Sequence, residues 1–179
     1  ERNTAVILLI EQHCTSWMSR FDHFFKDYSK FVYYLDFSIF PLSQHRKFLN
    51  LGSDLLKDDH LQKIIVIIFG KGEKAHFWVR GTKITAEFIV WELTAALQHK
   101  LCLVHFRSSR TIKNAHNTWL NRIPSHVSVS GHYGDVPCED IISGELIYLY
   151  SVFMTNCEDL EKSFSYFPES DKSGAAFFP

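Results

Sequence analysis

The sequence predicts an α/β chain, a flavodoxin-like three-layer sandwich built on a five-stranded parallel sheet, and three observations carry that prediction. Ile64 to Phe69 is a run of six apolar residues, four of them Ile and one Val, held between Lys63 and Gly70. A strand with one wet face alternates apolar and polar residues. An unbroken run needs cover on both faces, as a central parallel strand has between two helical layers. Ala5 to Ile10 is a second such run. Between and after the two, apolar residues recur at helical spacing, so strands alternate with helices.

Taken in order, Ala5–Ile10 is the first strand. Thr15 or Ser16 can cap a helix whose apolar face is Trp17, Phe21, Phe24 and Tyr28. Phe31–Leu35 is a second strand ending at Asp36, and Phe37 to Leu42 is a loop broken at Pro41. Ser43 can cap the next helix, with Phe48, Leu51 and Leu55 as its stripe. Gly52 in its middle weakens that helix by about 1 kcal/mol relative to Ala. After the central strand, Gly70 to Gly81 reads as a loop carrying Lys71, Lys74, His76 and Arg80 with exposed-looking Phe77 and Trp78. Thr82 to His99 reads as a long helix. Its two apolar lines, Ile84, Phe88, Trp91, Ala95 and Ile89, Leu93, Ala96, imply that most of it is buried.

Leu101–Phe106 is the fourth strand, and Ser108 to Asn117 is a polar loop. Trp119-Leu120 begins a short turn that Pro124 ends, and His126–Val129 is a short alternating strand at the sheet edge. Asp135 caps a last helix, with Pro137, Glu139 and Asp140 in its first turn and Ile142, Leu146, Leu149 and Phe153 on its core face. Right-handed crossovers give strand order 2-1-3-4-5. One domain spans residues 1–154, and residues 155–179 form a tail, loosely ordered or docked through its aromatics.

Composition narrows the function. Hydrophobic residues make up 46% of the 179, enough for a real core, and the net charge of −1 gives no global attraction to nucleic acid or acidic lipid. Sixteen Phe and four Trp imply core or interface aromatics. Cys14, Cys102, Cys138 and Cys157 are widely spaced, which reads as reduced thiols of a cytosolic protein. The chain opens at Glu1 with no signal peptide and no apolar run long enough for a membrane span, as expected of a piece cut from a larger protein.

The common chemical motifs are missing. Gly70-Lys71-Gly72-Glu73-Lys74 follows a strand but has neither the spacing nor the Ser/Thr of a Walker loop, and Glu11-Gln12-His13-Cys14 stands where a dinucleotide fold needs its glycines. A phospho-receiver needs clustered acids after the first strand and an Asp after the third; Glu11 stands alone and glycine with lysine follows the third. The ten histidines show no metal-ligand spacing and read as exposed or core-edge residues. Cys/His catalysis stays open, because its partners meet only in space. Arg107, Arg110, Lys113 and Arg122 beside Trp119 make too small a basic patch for nucleic acid. Glu87 and Glu92 lie about 140° apart around their helix and so on different faces.

The order of elements and several strings resemble a SEFIR domain, the relative of the TIR domain found in the cytoplasmic part of interleukin-17 receptors and in their adaptor. The strings are Ala5 to Tyr28, Val32 to Asp36, Lys63 to Ile67, Lys83 to Ile89 and Thr118-Trp119-Leu120, and the resemblance covers about residues 4–154. TIR domains usually place a Trp-Cys pair before a Glu on the third helix; here Trp91 directly precedes Glu92. The loop from Phe37 to Leu42 also lacks the Arg-Asp-Pro-Gly type of TIR loop, as a SEFIR assignment expects.

The resemblance implies a non-enzymatic module of cytokine signalling and innate immunity, with no catalytic residue, cofactor or metal. It implies homotypic binding to another SEFIR domain, receptor or adaptor, a homodimer included. It implies a cytoplasmic place as the intracellular part of a single-pass receptor, the membrane being reached only through a segment outside this chain. Contacts fall on the third helix and the loop before it: Lys71, Lys74, Phe77, Trp78, Arg80, Lys83, Glu87 and Glu92. Exposed aromatics beside cations are residue types that dominate interfaces. The competing expectation is a TIR-like NAD-cleaving hydrolase, which needs Glu87 or Glu92 at the mouth of a pocket near the ends of strands one and two.

Overall fold

In the computed structural model the chain runs β1 (Thr4–Ile10), α1 (Asp22–Tyr28), β2 (Phe31–Asp36), α2 (Arg46–Lys57), β3 (Lys63–Phe69), β4 (His76–Val79), β5 (Thr82–Thr85), α3 (Ala86–Leu97), β6 (Leu101–Arg107), β7 (Ser128–His132), α4 (Ser143–Met154), α5 (Leu160–Phe164) and β8 (Ala175–Phe178). The structure describes residues 3–11, 22–108, 110–112, 118–134, 143–166 and 175–178. The caps expected at Thr15, Ser16 and Asp135, with Trp17, Phe21 and Ile142, lie outside them.

All seven side chains of β1 are buried, as are those of β3 after Lys63, because each strand is flanked by strands and covered on both faces. The main sheet has the order β2-β1-β3-β6-β7-β8. Its first five strands are parallel, in the 2-1-3-4-5 arrangement expected of a doubly wound fold. β8 adds an antiparallel sixth strand from the tail, pairing Val129 with Phe178 through His132 with Ala175. The expectation that the strand at 126–129 is an edge is therefore corrected. Its residues Ser128–His132 are all buried, and β8 supplies the covering edge.

The period-2 alternation of each strand divides the core in two. Ala5, Ile7, Leu9, Ile64, Val66 and Ile68 face Phe48 and Leu55 of α2 and Ile89, Val90, Leu93 and Leu97 of α3. Val6, Leu8, Ile10, Ile65, Ile67 and Phe69 face Phe25 of α1 and Tyr148, Leu149, Val152 and Phe153 of α4. Leu160 and Phe164 of α5 pack against the second cluster. Among the described residues no helix is long and apolar enough to cross a membrane.

Two helix starts differ from expectation. The cap of α2 is His45, not Ser43: its Nδ1 accepts the Phe48 N–H at 3.1 Å. The cap of α3 is Thr85, whose hydroxyl accepts the Phe88 N–H at 3.1 Å, so the helix begins after Thr82–Thr85 rather than with it. Gly52 also has a positive reason to be there. A Cβ on Gly52 would stand 3.2 Å from the Ala96 carbonyl oxygen, so the missing side chain lets α2 close on α3. In an open helix Gly→Ala stabilises by about 1 kcal/mol. Here Gly52→Ala is expected to lower the thermal midpoint, since the contact is to helical backbone that cannot rotate away. A calorimetric scan checks it, and a raised midpoint would contradict the close approach.

Candidate interaction surface

Residues 70–85 do not form a loop leading into a helix. They build a hairpin, β4 pairing β5 with Phe77 opposite Ile84 and Trp78 opposite Lys83. Its physical basis is an alternation hidden among the charges: Phe77, Val79 and Ile84 are buried, whereas Trp78, Lys83 and Thr85 are exposed. The turn falls at Arg80 (φ 49°) and Gly81 (φ 77°), two successive positive φ values of the kind tight hairpin turns require. The Ala86 N–H donates to the Ala75 carbonyl at 2.9 Å, tying the start of α3 to the start of the hairpin.

This geometry sorts the expected interface residues. Lys71, Lys74, Trp78, Arg80 and Lys83 are exposed. Phe77 is not; it is fully buried, with its ring 4.7 Å from that of Phe37 and 6.3 Å from that of Phe106, so its interface role is corrected to a core role. Arg80 reaches back, its Nη2 donating to the carbonyls of Ser38 at 3.0 Å and Phe40 at 3.3 Å. Glu87 accepts from Arg122 at 2.8–2.9 Å. Glu92 accepts the Leu42 N–H at 3.1 Å and thereby holds the segment before α2 against α3.

The larger correction concerns α3 itself. Only the Ile89–Leu93 line is buried. On the other line Phe88 is 40% and Trp91 43% exposed, and Trp78 on the hairpin is 55% exposed. Helical periodicity counts both lines as apolar and cannot tell a face against the sheet from a face kept for a partner. Arg107 and Trp119, grouped in sequence as members of a small basic patch, are both buried.

A cavity of about 300 Å³ opens beside the hairpin at the carboxyl ends of β1 and β2, lined by Glu11, Asp36, Phe37, Ser38, Trp78, Val79 and Arg80. Gly70 makes room for one of its acids, because a Cβ there would come within 2.7 Å of Glu11 Oε1. Neither Glu87 nor Glu92 lines the cavity. The placement required of them by the NAD-cleaving expectation is therefore corrected, and the carboxylates at this mouth are Glu11 and Asp36.

Under α4 lies a polar cluster that the sequence reading missed. His105, His132 and Glu145 are all fully buried, which corrects the expectation of exposed or core-edge histidines. His105 Nε2 lies 2.5 Å from Glu145 Oε1, and Arg107 Nε lies 3.1 Å from Glu145 Oε2. Burial alone would raise the Glu145 carboxyl. Hydrogen bonds from His105 and His132 and the Arg107 charge overcome it and hold the group well below the ordinary carboxylate range. Burial lowers His105 despite the opposing pull of Glu145, and so favours the neutral imidazole. A carboxylate can only accept, so Nε2 of His105 carries the proton; Nδ1 then accepts from the Ser130 hydroxyl at 2.7 Å, which in turn accepts from Tyr148 at 2.9 Å. His105, His132 and Glu145 present donor atoms within 4.8 Å of one another, a grouping open to a metal ion. Arg107 already supplies the compensating cation, so the ion network accounts for the buried carboxylate by itself. A lone His in each of two strands carries no such signal in sequence.

Of the cysteines, Cys102 and Cys157 are free. A hydrogen bond with Cys157, and then burial, push the Cys102 thiol up. Cys102 begins β6, at the end of the sheet opposite the cavity, and Cys157 follows α4. Cys14 and Cys138 lie outside the described residues.

No family model and no curated protein matches the chain. Among solved structures, the chain is similar to a secreted C11 cysteine protease from Bacteroides thetaiotaomicron in complex with an irreversible peptide inhibitor, with a TM-score of 0.61 and 8% identity over 93% of this chain. The match takes in 57% of that protein's length. The likeness corrects the expectation, drawn from the resemblance, that this chain is not an enzyme: a protease uses the same α/β architecture, so the fold is no argument against catalysis. At this identity the likeness establishes a shared fold, that of a parallel sheet between two helical layers.

Proposed function

We propose that the chain is a SEFIR-type signalling module that binds a second SEFIR domain, of receptor or adaptor, in interleukin-17 receptor signalling. The contact surface is the exposed side of the β4–β5 hairpin and the outer line of α3. One observation carries the reading. Trp78 on β4 and Phe88 and Trp91 on α3 stand exposed, with the exposed Lys83 on the intervening β5, at the place where the resemblance puts homotypic contacts. Large aromatics with adjoining cations supply most of the energy of protein interfaces, because they bury much area at little entropic cost. The cytoplasmic location, and attachment to a membrane through a segment outside this chain, belong to the same proposal.

The test is binding of the purified chain to an isolated SEFIR domain, followed by calorimetry. Replacing Phe88 and Trp91 together by Ala is expected to weaken binding by about 2 kcal/mol or more while leaving the thermal midpoint unchanged within error. Replacing Ile147 and Met154, exposed on α4 across the sheet, is the control and leaves binding intact. Equal affinity of parent and Phe88/Trp91 variant rejects this surface.

A further inference from the structure

We propose that Cys102 and Cys157 form a modification site, a dithiol that closes to a disulfide under peroxide and reopens under a thiol reductant. The inference goes beyond the partner-binding reading and does not depend on it. The two sulfurs are brought together by two local irregularities of the backbone. Leu103 faces the layer of α1 and α4, and Val104 faces the layer of α2 and α3. Alternation continued back along β6 would therefore turn Cys102 towards α2 and α3. It does not, because the β3–β6 register slips here. Ile64 stands opposite Leu101 and Ile65 opposite Leu103, so Cys102 is the extra residue of a bulge. Bulges re-aim a side chain, and this one packs Cys102 against the cluster beneath α4.

The end of α4 brings Cys157 to the same spot. The Asn156 N–H donates to the Phe153 carbonyl at 3.2 Å and the Cys157 N–H to the Val152 carbonyl at 3.0 Å. Asn156 (φ 50°) and Cys157 (φ 62°) both lie in the left-handed region. Glycine adopts that conformation without strain, yet a cysteine holds the second position. Both cysteines are free, and their thiols meet in a hydrogen bond, so only a short approach separates them from a bond. Cys157 is enclosed and Cys102 half-buried, so Cys102 is the thiol an oxidant reaches first. Its sulfur attacks one oxygen of hydrogen peroxide. The O–O bond breaks, the departing hydroxide leaves as water with the thiol proton, and Cys102 becomes a sulfenic acid. The Cys157 sulfur then displaces the hydroxyl, which leaves as a second water with the Cys157 proton as the S–S bond forms. The two sulfurs together lose two electrons and the peroxide gains them. The link staples the corner between α4 and α5 to the start of β6.

Peroxide treatment of the purified chain at about pH 8, where thiols ionise more readily, followed by peptide mapping without reduction, tests the site. A peptide linking Cys102 to Cys157 is expected. The thermal midpoint of the linked chain is expected to rise by about 5 °C or more, because the link restricts the unfolded state. Dithiothreitol should return both to their starting values. Cys102→Ser is expected to lose the linked peptide and the rise together. Cys157 lies in the core, so Cys157→Gly, which suits the left-handed backbone there, is measured beside it; it is expected to stay folded and to gain nothing from peroxide. Replacing Cys14 and Cys138 together by Ser is expected to leave closure intact. Three outcomes overturn the inference: a folded chain that yields no Cys102–Cys157 peptide, linkage of either cysteine to Cys14 or Cys138 instead, or a linked chain that melts no higher than the reduced one.

Discussion

Glu145→Gln is expected to lower the unfolding free energy by about 3–5 kcal/mol, because it removes the buried carboxylate that pairs with the Arg107 guanidinium at 3.1 Å and accepts from His105. Arg107 and Glu145 are both almost completely enclosed, so water cannot replace the lost partner. The same cluster sets an acid limit. The Glu145 carboxyl is held below its ordinary range in the fold, so its contribution is complete above the unfolded carboxylate pKa of about 4.3 and is lost as pH falls below it. His105 is lowered too. The folded chain takes up the imidazole proton at a lower pH than the unfolded chain, which does so at about pH 6.5, so this group also loses stability as pH falls. Urea unfolding across this range should show stability declining in two stages on acidification, with the lower stage missing in Glu145→Gln. A flat profile from neutrality down to the carboxylate range would show that the network is not closed as described.

Phe77→Ala and Trp78→Ala, adjacent in sequence, are expected to fail in opposite ways. Phe77 is enclosed between Phe37 and Phe106, and its removal should cost about 3–5 kcal/mol of stability. Trp78 is more than half exposed, with its Nε1 donating to Glu73 at 3.4 Å. Its removal should leave the thermal midpoint nearly unchanged and weaken binding to a SEFIR partner by about 2 kcal/mol. Paired melting and binding measurements separate the two. A Trp78 variant that melts early, or a Phe77 variant that folds normally and loses only binding, would reverse the assignment of these side chains.

The difference between these neighbours explains what the sequence could show. A parallel sheet announces itself through runs such as Ala5–Ile10 and Ile64–Phe69, since burial on both faces leaves no room for polar residues. The hairpin at residues 76–85 is harder to read. Its strands are four residues each, and Lys, Arg and His interrupt an alternation that only three buried side chains define. The two aromatics of α3 were legible as apolar but not as exposed, because hydropathy reports what a side chain prefers and not what covers it. His105, Arg107, His132 and Glu145 lie on β6, β7 and α4. Nothing in their local sequence states that these elements meet.

The chain by itself therefore determined the layer order and the strand order of its parallel sheet. Both follow from the period of burial and from the short right-handed connections that period allows. It also carried the resemblance on which the functional reading rests. Tertiary structure alone decided which aromatic faces solvent, which acid lines the cavity, and which histidines are sealed with Glu145. Each of these depends on distances between residues far apart in sequence. The free energy of a buried charge or an uncovered ring is set by its neighbours in space, which no local pattern encodes.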